Sequence, residues 1–299
     1  MGRILFVFLD GVGLARPGPD NPLSRVPMPR LEKLLGGPLA LDGAGSLAGA
    51  GLILHPVDAC LGVPGLPQSA TGQTALFTGV NAPALVGDHV PAHPTAPLRE
   101  VIAEHSLLKR AAEAGARVLF ANAHSEQFWQ AVRGGKLHLG ASTLTALAAA
   151  VPIPTLDDLR AGRAVLWDIT HEVASSYLGY ELPHVSAEEA GARLARLAAA
   201  YDLVLYESFL TDLAGHRRIE PEWVLSRLDD FLGSVVEHLP PDATLILSSD
   251  HGNLEDATTK AHTTNPVPLL AVGPDAGRFG GVTAITGVAP AILACLRSG

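Results

Sequence analysis

At 243–253 the chain reads ATLILSSDHGN, an almost unbroken apolar run that meets two hydroxyls and then presents Asp250, His251, Gly252 and Asn253. A run of that length and kind is what a strand buried on both faces of a sheet requires. The pattern recurs. RILFVFL at 3–9 runs into Asp10-Gly11, and DLVLYES at 202–208 ends four residues before Asp212, the first residue of Asp212-Leu213-Ala214-Gly215-His216. PLLAVG at 268–273 follows Ala261-His262-Thr263-Thr264-Asn265-Pro266, and RVLFANA occupies 117–123. Helical patterns lie between them at 30–36, 98–115 and 221–238, and at 186–200, where Ser186 and Glu189 form a capping box. Strands alternating with helices predict an α/β fold, a three-layer α/β/α sandwich with a mostly parallel sheet.

Residues 14–29 and 80–97 read as loops, and 66–79 as a loop entering a helix. The stretch 124–185 has weaker strand signals and several turns. It reads either as a small cap inserted in a core made of 1–123 and 186–299, or as an irregular excursion of the same domain.

Composition narrows the function. With 299 residues, 47% hydrophobic and 17% charged, the chain is far from a disordered composition. Its longest apolar runs, such as 144–152, are too short to cross a bilayer. The apolar start is broken by Asp10 and carries no cleavage signature, so it reads as a strand, and a cytoplasmic location is expected with no membrane partner. The net charge of −9 and the lack of a basic stripe argue against nucleic acid. Only four Lys are present, so phosphate chemistry would need another source of positive charge. Cys60 and Cys295 form no metal or redox spacing. Twelve His beside abundant carboxylates suit hard or borderline metal ions.

Ligands of open α/β sheets gather at the carboxyl ends of the strands. Asp10, Asp212, His216, Asp250 and His251 fall at or just beyond such ends, His262 lies in the loop before the next strand, and together they suffice for two divalent cations. Asp212 and His216 are four apart and share one face of a helical turn. In Pro67-Gln68-Ser69-Ala70-Thr71-Gly72-Gln73-Thr74 a hydroxyl at a helix start is ordinarily an N-cap. The same place is an anion site, and a metal-coordinated hydroxyl there can attack phosphorus.

These residues resemble the alkaline phosphatase superfamily, most of all its branch of cofactor-independent phosphoglycerate mutases and phosphopentomutases. The resemblance rests on Asp10-Gly11-x-Gly13, Ser69 three before Gly72, Asp212-x-x-Gly215-His216, Ser249-Asp250-His251-Gly252-Asn253 and Ala261-His262-Thr263-x-Asn265-Pro266-Val267-Pro268. It implies one metal held by Asp10, Ser69, Asp250 and His251, and a second held by Asp212, His216 and His262. It implies manganese, with zinc or magnesium as alternatives, and Ser69 as nucleophile, with Thr71 as the alternative. The implied chemistry is phosphoryl transfer to Ser69 from a small phosphorylated substrate. Those mutases carry a large closing domain with an arginine-rich grip on the substrate. Here about 60 residues are available and Arg133, Arg160 and Arg163 are scattered, so phosphomonoester hydrolysis is the expected outcome. A phosphomutase, a phosphodiesterase or phosphonate hydrolase, and a catalytically silent metal-binding scaffold are the alternatives. Asn122, His124, His89 and Lys260 are the candidates for touching substrate. Trp129, Trp167 and Trp223 read as packing residues, and Asp168-Ile169-Thr170-His171 ends one more apolar run.

Overall fold

The computed structural model describes residues 2–43 and 51–297. Six strands, β1 (Arg3–Leu9), β2 (Leu52–Val57), β3 (Val118–Phe120), β4 (Leu203–Ser208), β5 (Ala243–Ser248) and β6 (Val267–Val272), form one sheet in the order β2-β6-β5-β1-β4-β3. β1 lies in the middle and pairs parallel with β4 and β5. β6 is antiparallel to both β5 and β2.

The alternation of side chains in β1 sends Ile4, Phe6 and Phe8 into one core and Leu5, Val7 and Leu9 into the other. The first core is covered by helices Ser69–Thr78, Ala96–His105, Leu107–Glu113, Ala141–Ala148 and Val288–Arg297. The second is covered by Pro29–Leu35, Ala187–Ala200 and Pro221–His238. This is the expected three-layer sandwich.

Several elements differ from the sequence reading. The pattern at 98–115 is two helices, because Ser106 is extended and its hydroxyl accepts from Lys109 N, capping the second one. The strand 117–123 keeps ladder pairing only over Val118–Phe120. β2 carries Pro56, whose missing N–H obscures it in the sequence yet is tolerated on an edge strand. The loop at 80–97 contains the short helix Ala82–Val86. Within 124–185, helix Ala141–Ala148 packs in the same layer as Ala96–His105, while Ala123, Leu159, Ala164, Leu166 and Ala174 form a small cluster of their own.

The helix Ser69–Thr78 is buried along almost its whole length, and Phe77 meets Phe6 and Phe8 edge to face at centroid distances of 6.1 and 5.2 Å. Phe77 thereby ties the end of this helix to the central strand. Replacing Phe77 by Ala is expected to destabilise the protein by about 3–5 kcal/mol, read as a lowered urea midpoint.

Candidate metal centre

The parallel strands deliver their loops to one edge. Asp10 follows β1, Asp250 and His251 follow β5, and Asp212 and His216 lie in and just after the turn of helix Leu210–Gly215 beyond β4. Because β6 is reversed, the chain that leads into it crosses the same edge and brings His262 there. Two groups of three result, Asp10 with Asp250 and His251, and Asp212 with His216 and His262, each with its ligand atoms within 4.8 Å of one another. The groups share a wall, since the rings of His251 and His262 stack at 3.6 Å. Ser69 opens its helix with its hydroxyl 3.1 Å from His251 Nε2. Gly72, one turn on, lets that helix lie on the strand end, since a Cβ there would fall 2.7 Å from the Asp250 carbonyl oxygen.

The imidazoles are aimed by backbone carbonyls. His216 Nδ1 lies 2.8 Å from the Lys260 oxygen and His262 Nδ1 2.9 Å from that of Pro67. Donation from Nδ1 leaves each Nε2 with a lone pair. Those lone pairs face Asp212 Oδ1 at 3.4 and 3.8 Å, acceptor against acceptor, an arrangement that only a proton or a cation relieves. Buried Asp10 Oδ1 and Asp250 Oδ2 have no hydrogen-bond partner and lie 3.3 and 3.5 Å from His251 Nε2. Orphaned buried carboxylate oxygens are the imprint expected of a cation, so the donor set fits two. Around it, Gln73 donates to Asp10 Oδ2 at 3.2 Å and Asn253 to Asp212 Oδ1 at 3.0 Å. Buried Glu255 accepts from Gly13 N, Asn253 N, Thr263 Oγ1 and Asn265 Nδ2, tying three loops together. A Cβ on Gly252 would displace that carboxylate.

Electrostatics reports the same crowding. Burial, then Asp10, pushes the Asp250 carboxyl well above its usual range. Burial opposes the charge on His251, but Asp250, Asp10 and Asp212 outweigh it and raise its pKa to about 10. Burial, then the neighbouring His251 and His216, lowers His262 to about 4, leaving it neutral and ready to ligate.

Residues 168–297 match the model of the Metalloenzyme superfamily. A 2,3-bisphosphoglycerate-independent phosphoglycerate mutase of Syntrophotalea carbinolica is 35% identical over 108 residues, which cover 32% of this chain and 21% of the mutase. The match thus spans about a fifth of the length of that relative. The fold is that of alkaline phosphatases. The enzyme from the Antarctic bacterium TAB5 superposes with a TM-score of 0.54 over 99% of both chains at 13% identity. The cold-active alkaline phosphatase of Shewanella sp. gives 0.55 over the full length of both at 15%. The resemblance carried by the motifs is thereby shown, with mutase relatives in sequence and phosphatase neighbours in fold.

The segment matched by that model supplies five of the clustered residues, and the chain before it supplies Asp10 and Ser69. The other sequence candidates have different settings. Thr71 is turned away from the cluster, donating to the Gln68 carbonyl and accepting from Val90 N. The helix start is not a free anion site either, because Ala70 N and Thr71 N both donate to the Val90 carbonyl. His89 is buried against the Val63 oxygen, outside the cavity over the cluster, and Lys260 contributes its carbonyl to His216. Asn122 and His124 do line that cavity, but Asn122 is engaged with both backbone groups of Glu207, and His124 with Thr143. Gln73, Asn253 and Glu255 have no separate signal in sequence beyond their nearness to the motifs. Glu207 also borders the cavity, and burial raises its pKa to about 7.

Because His251 is protonated at neutral pH and coordination needs its free lone pair, cation binding must release a proton. Affinity for Mn²⁺ is expected to rise about tenfold per pH unit from neutrality toward pH 9 and then level off near pH 10. Titration calorimetry in buffers of different ionisation enthalpy reads the proton directly, and a pH-independent affinity with no proton released would refute this charge state.

Proposed function

We propose that this protein is a metal-dependent phosphoryl-transfer enzyme that hydrolyses phosphomonoesters through a phosphoserine at Ser69. The observation that carries the reading is the Ser69 hydroxyl, half-exposed and 3.1 Å from His251 Nε2 beside a cluster of three carboxylates and three imidazoles. Asp10, Ser69, Asp250 and His251 would hold one divalent cation, and Asp212, His216 and His262 the other. The oxygen and nitrogen donors suit Mn²⁺ or Zn²⁺. The chemistry supplied by such ions, when bound, is the positive charge that favours the Ser69 alkoxide and offsets the phosphoryl oxygens.

Ser69 Oγ loses its proton to solvent and bonds to phosphorus while the ester P–O bond breaks in line on the opposite side. The departing oxygen takes a proton from water. A second water then attacks the phosphoserine, releasing inorganic phosphate and restoring the Ser69 hydroxyl. Gln73 and Asn253 hold Asp10 and Asp212 in place throughout. Hydrolysis is favoured over mutase chemistry by the cavity, where Arg218 is the one Arg or Lys among the described lining residues. A phosphoglycerate held between transfers needs more positive charge than that for its carboxylate and phosphate. The free thiols Cys60 and Cys295 suit a reducing compartment such as the cytoplasm.

With Mn²⁺ and p-nitrophenyl phosphate, Ser69→Ala is expected to lower kcat at least about 1000-fold at saturating Mn²⁺ while circular dichroism is retained. Free phosphate as product supports hydrolysis, whereas an isomerised ester identifies a mutase. Turnover only of diesters or phosphonates assigns those reactions. Cation binding without turnover of any ester identifies a silent scaffold.

A further inference from the structure

The cavity over the metal centre is large, about 750 Å³, and its floor includes Asp10, Ser69 and Asp212. That volume is of the size that encloses a drug-sized ligand. Above the floor the walls turn apolar. Trp167 and Phe209 stack face to face with centroids 4.0 Å apart, and Phe128 faces the same space. At the mouth stand Leu137, Tyr177 and Leu178, which are 45%, 77% and 52% exposed. They are three of the six large hydrophobic side chains recorded as exposed among the described residues, gathered at one opening. Exposed apolar side chains gathered in this way mark a binding surface.

The wall is built on fixed backbone. The buried Tyr206 hydroxyl donates to the Leu166 carbonyl, directly before Trp167. Asp168 accepts from Ala174 N inside helix Glu172–Leu178, which carries Tyr177 and Leu178. On the other side, Ser125 donates to the Tyr180 hydroxyl. Such a cleft is largely preformed.

We infer that the alcohol released by this enzyme is large, apolar and ring-bearing, so that the preferred substrates are phosphomonoesters of aryl or alicyclic alcohols. The inference rests on the phosphoryl-transfer reading and adds its substrate class. In-line displacement requires the leaving oxygen to depart opposite Ser69 Oγ, away from the floor and toward the aromatic walls. A flat hydrocarbon ring would stack on Trp167 and Phe128 and bury apolar area. A sugar or glycerate in that place would set much of its polar surface against the ring faces of Trp167, Phe128 and Phe209, where water is exchanged for weaker partners.

The test compares esters of primary alcohols, so that leaving-group reactivity is matched: 2-naphthylmethyl phosphate, ethyl phosphate, glucose 6-phosphate and 3-phosphoglycerate, each with the Mn²⁺-loaded full chain. The expected result is a kcat/KM for 2-naphthylmethyl phosphate about 100-fold above that for glucose 6-phosphate or 3-phosphoglycerate. Tyr177→Ala and Leu178→Ala, both at exposed positions, are expected to reduce the ratio of kcat/KM for 2-naphthylmethyl over ethyl phosphate about tenfold when combined, through KM. Phosphate released from glucose 6-phosphate or 3-phosphoglycerate as readily as from the naphthyl ester, or a ratio untouched by the double variant, overturns the substrate class and leaves the phosphoryl-transfer reading standing. No phosphate from any of the four overturns both.

Discussion

Everything at the active edge follows from the forced proximity of three carboxylates. Asp10, Asp212 and Asp250 are drawn from loops after three different strands, and their repulsion in a buried place works against the fold. One protonated imidazole, His251, offsets only part of it. The surroundings are built to hold that frustrated arrangement. Amide side chains of Gln73 and Asn253 grip two of the carboxylates, carbonyls of Pro67 and Lys260 turn two imidazoles, and Glu255 ties the loops behind them. A buried charge cluster that is unfavourable alone and favourable with a dication is a strong reason for a protein to spend its acidic residues this way. The same logic explains how an acidic chain can present a positive local field where cations are bound.

The fold was legible wherever a strand is buried on both faces. RILFVFL and ATLILS announce β1 and β5 because they are apolar but for Arg3 at the start of one and the hydroxyls of Thr244 and Ser248 in the other. β2 was hidden by His55 and Pro56, which its edge position allows. The direction of β6 had no sequence signal, since reversal depends on where the preceding loop goes. The helix break at Ser106 was equally silent: periodicity continues across it, and only the backbone geometry shows the cap. The short helices of 124–185 were unreadable for a related reason, being stabilised by packing more than by periodicity.

The six Asp and His of the site were legible because each follows a strand or precedes one within a few residues. The resemblance puts Ser69 before Thr71, and the two hydroxyls at that one helix start differ in where they point, Ser69 toward His251 and Thr71 toward the Gln68 carbonyl. The aromatic cleft was invisible for a different cause. Phe128, Trp167, Tyr177 and Phe209 come from separated segments, and each alone is an ordinary packing residue. Their convergence is a property of the tertiary structure.

The central place of β1 has a bearing on synthesis of the chain. Its two neighbours, β4 and β5, end at residues 208 and 248, so this largely apolar strand has no partner until most of the chain has left the ribosome. Residues 4–9, ILFVFL, are meanwhile an unpaired apolar run with only Arg3 as a flanking charge, of the kind that pairs with other chains. The architecture that unites the first and last thirds of the sequence at one rim therefore also leaves the nascent chain open to wrong pairing, a vulnerability set by topology and not by final stability.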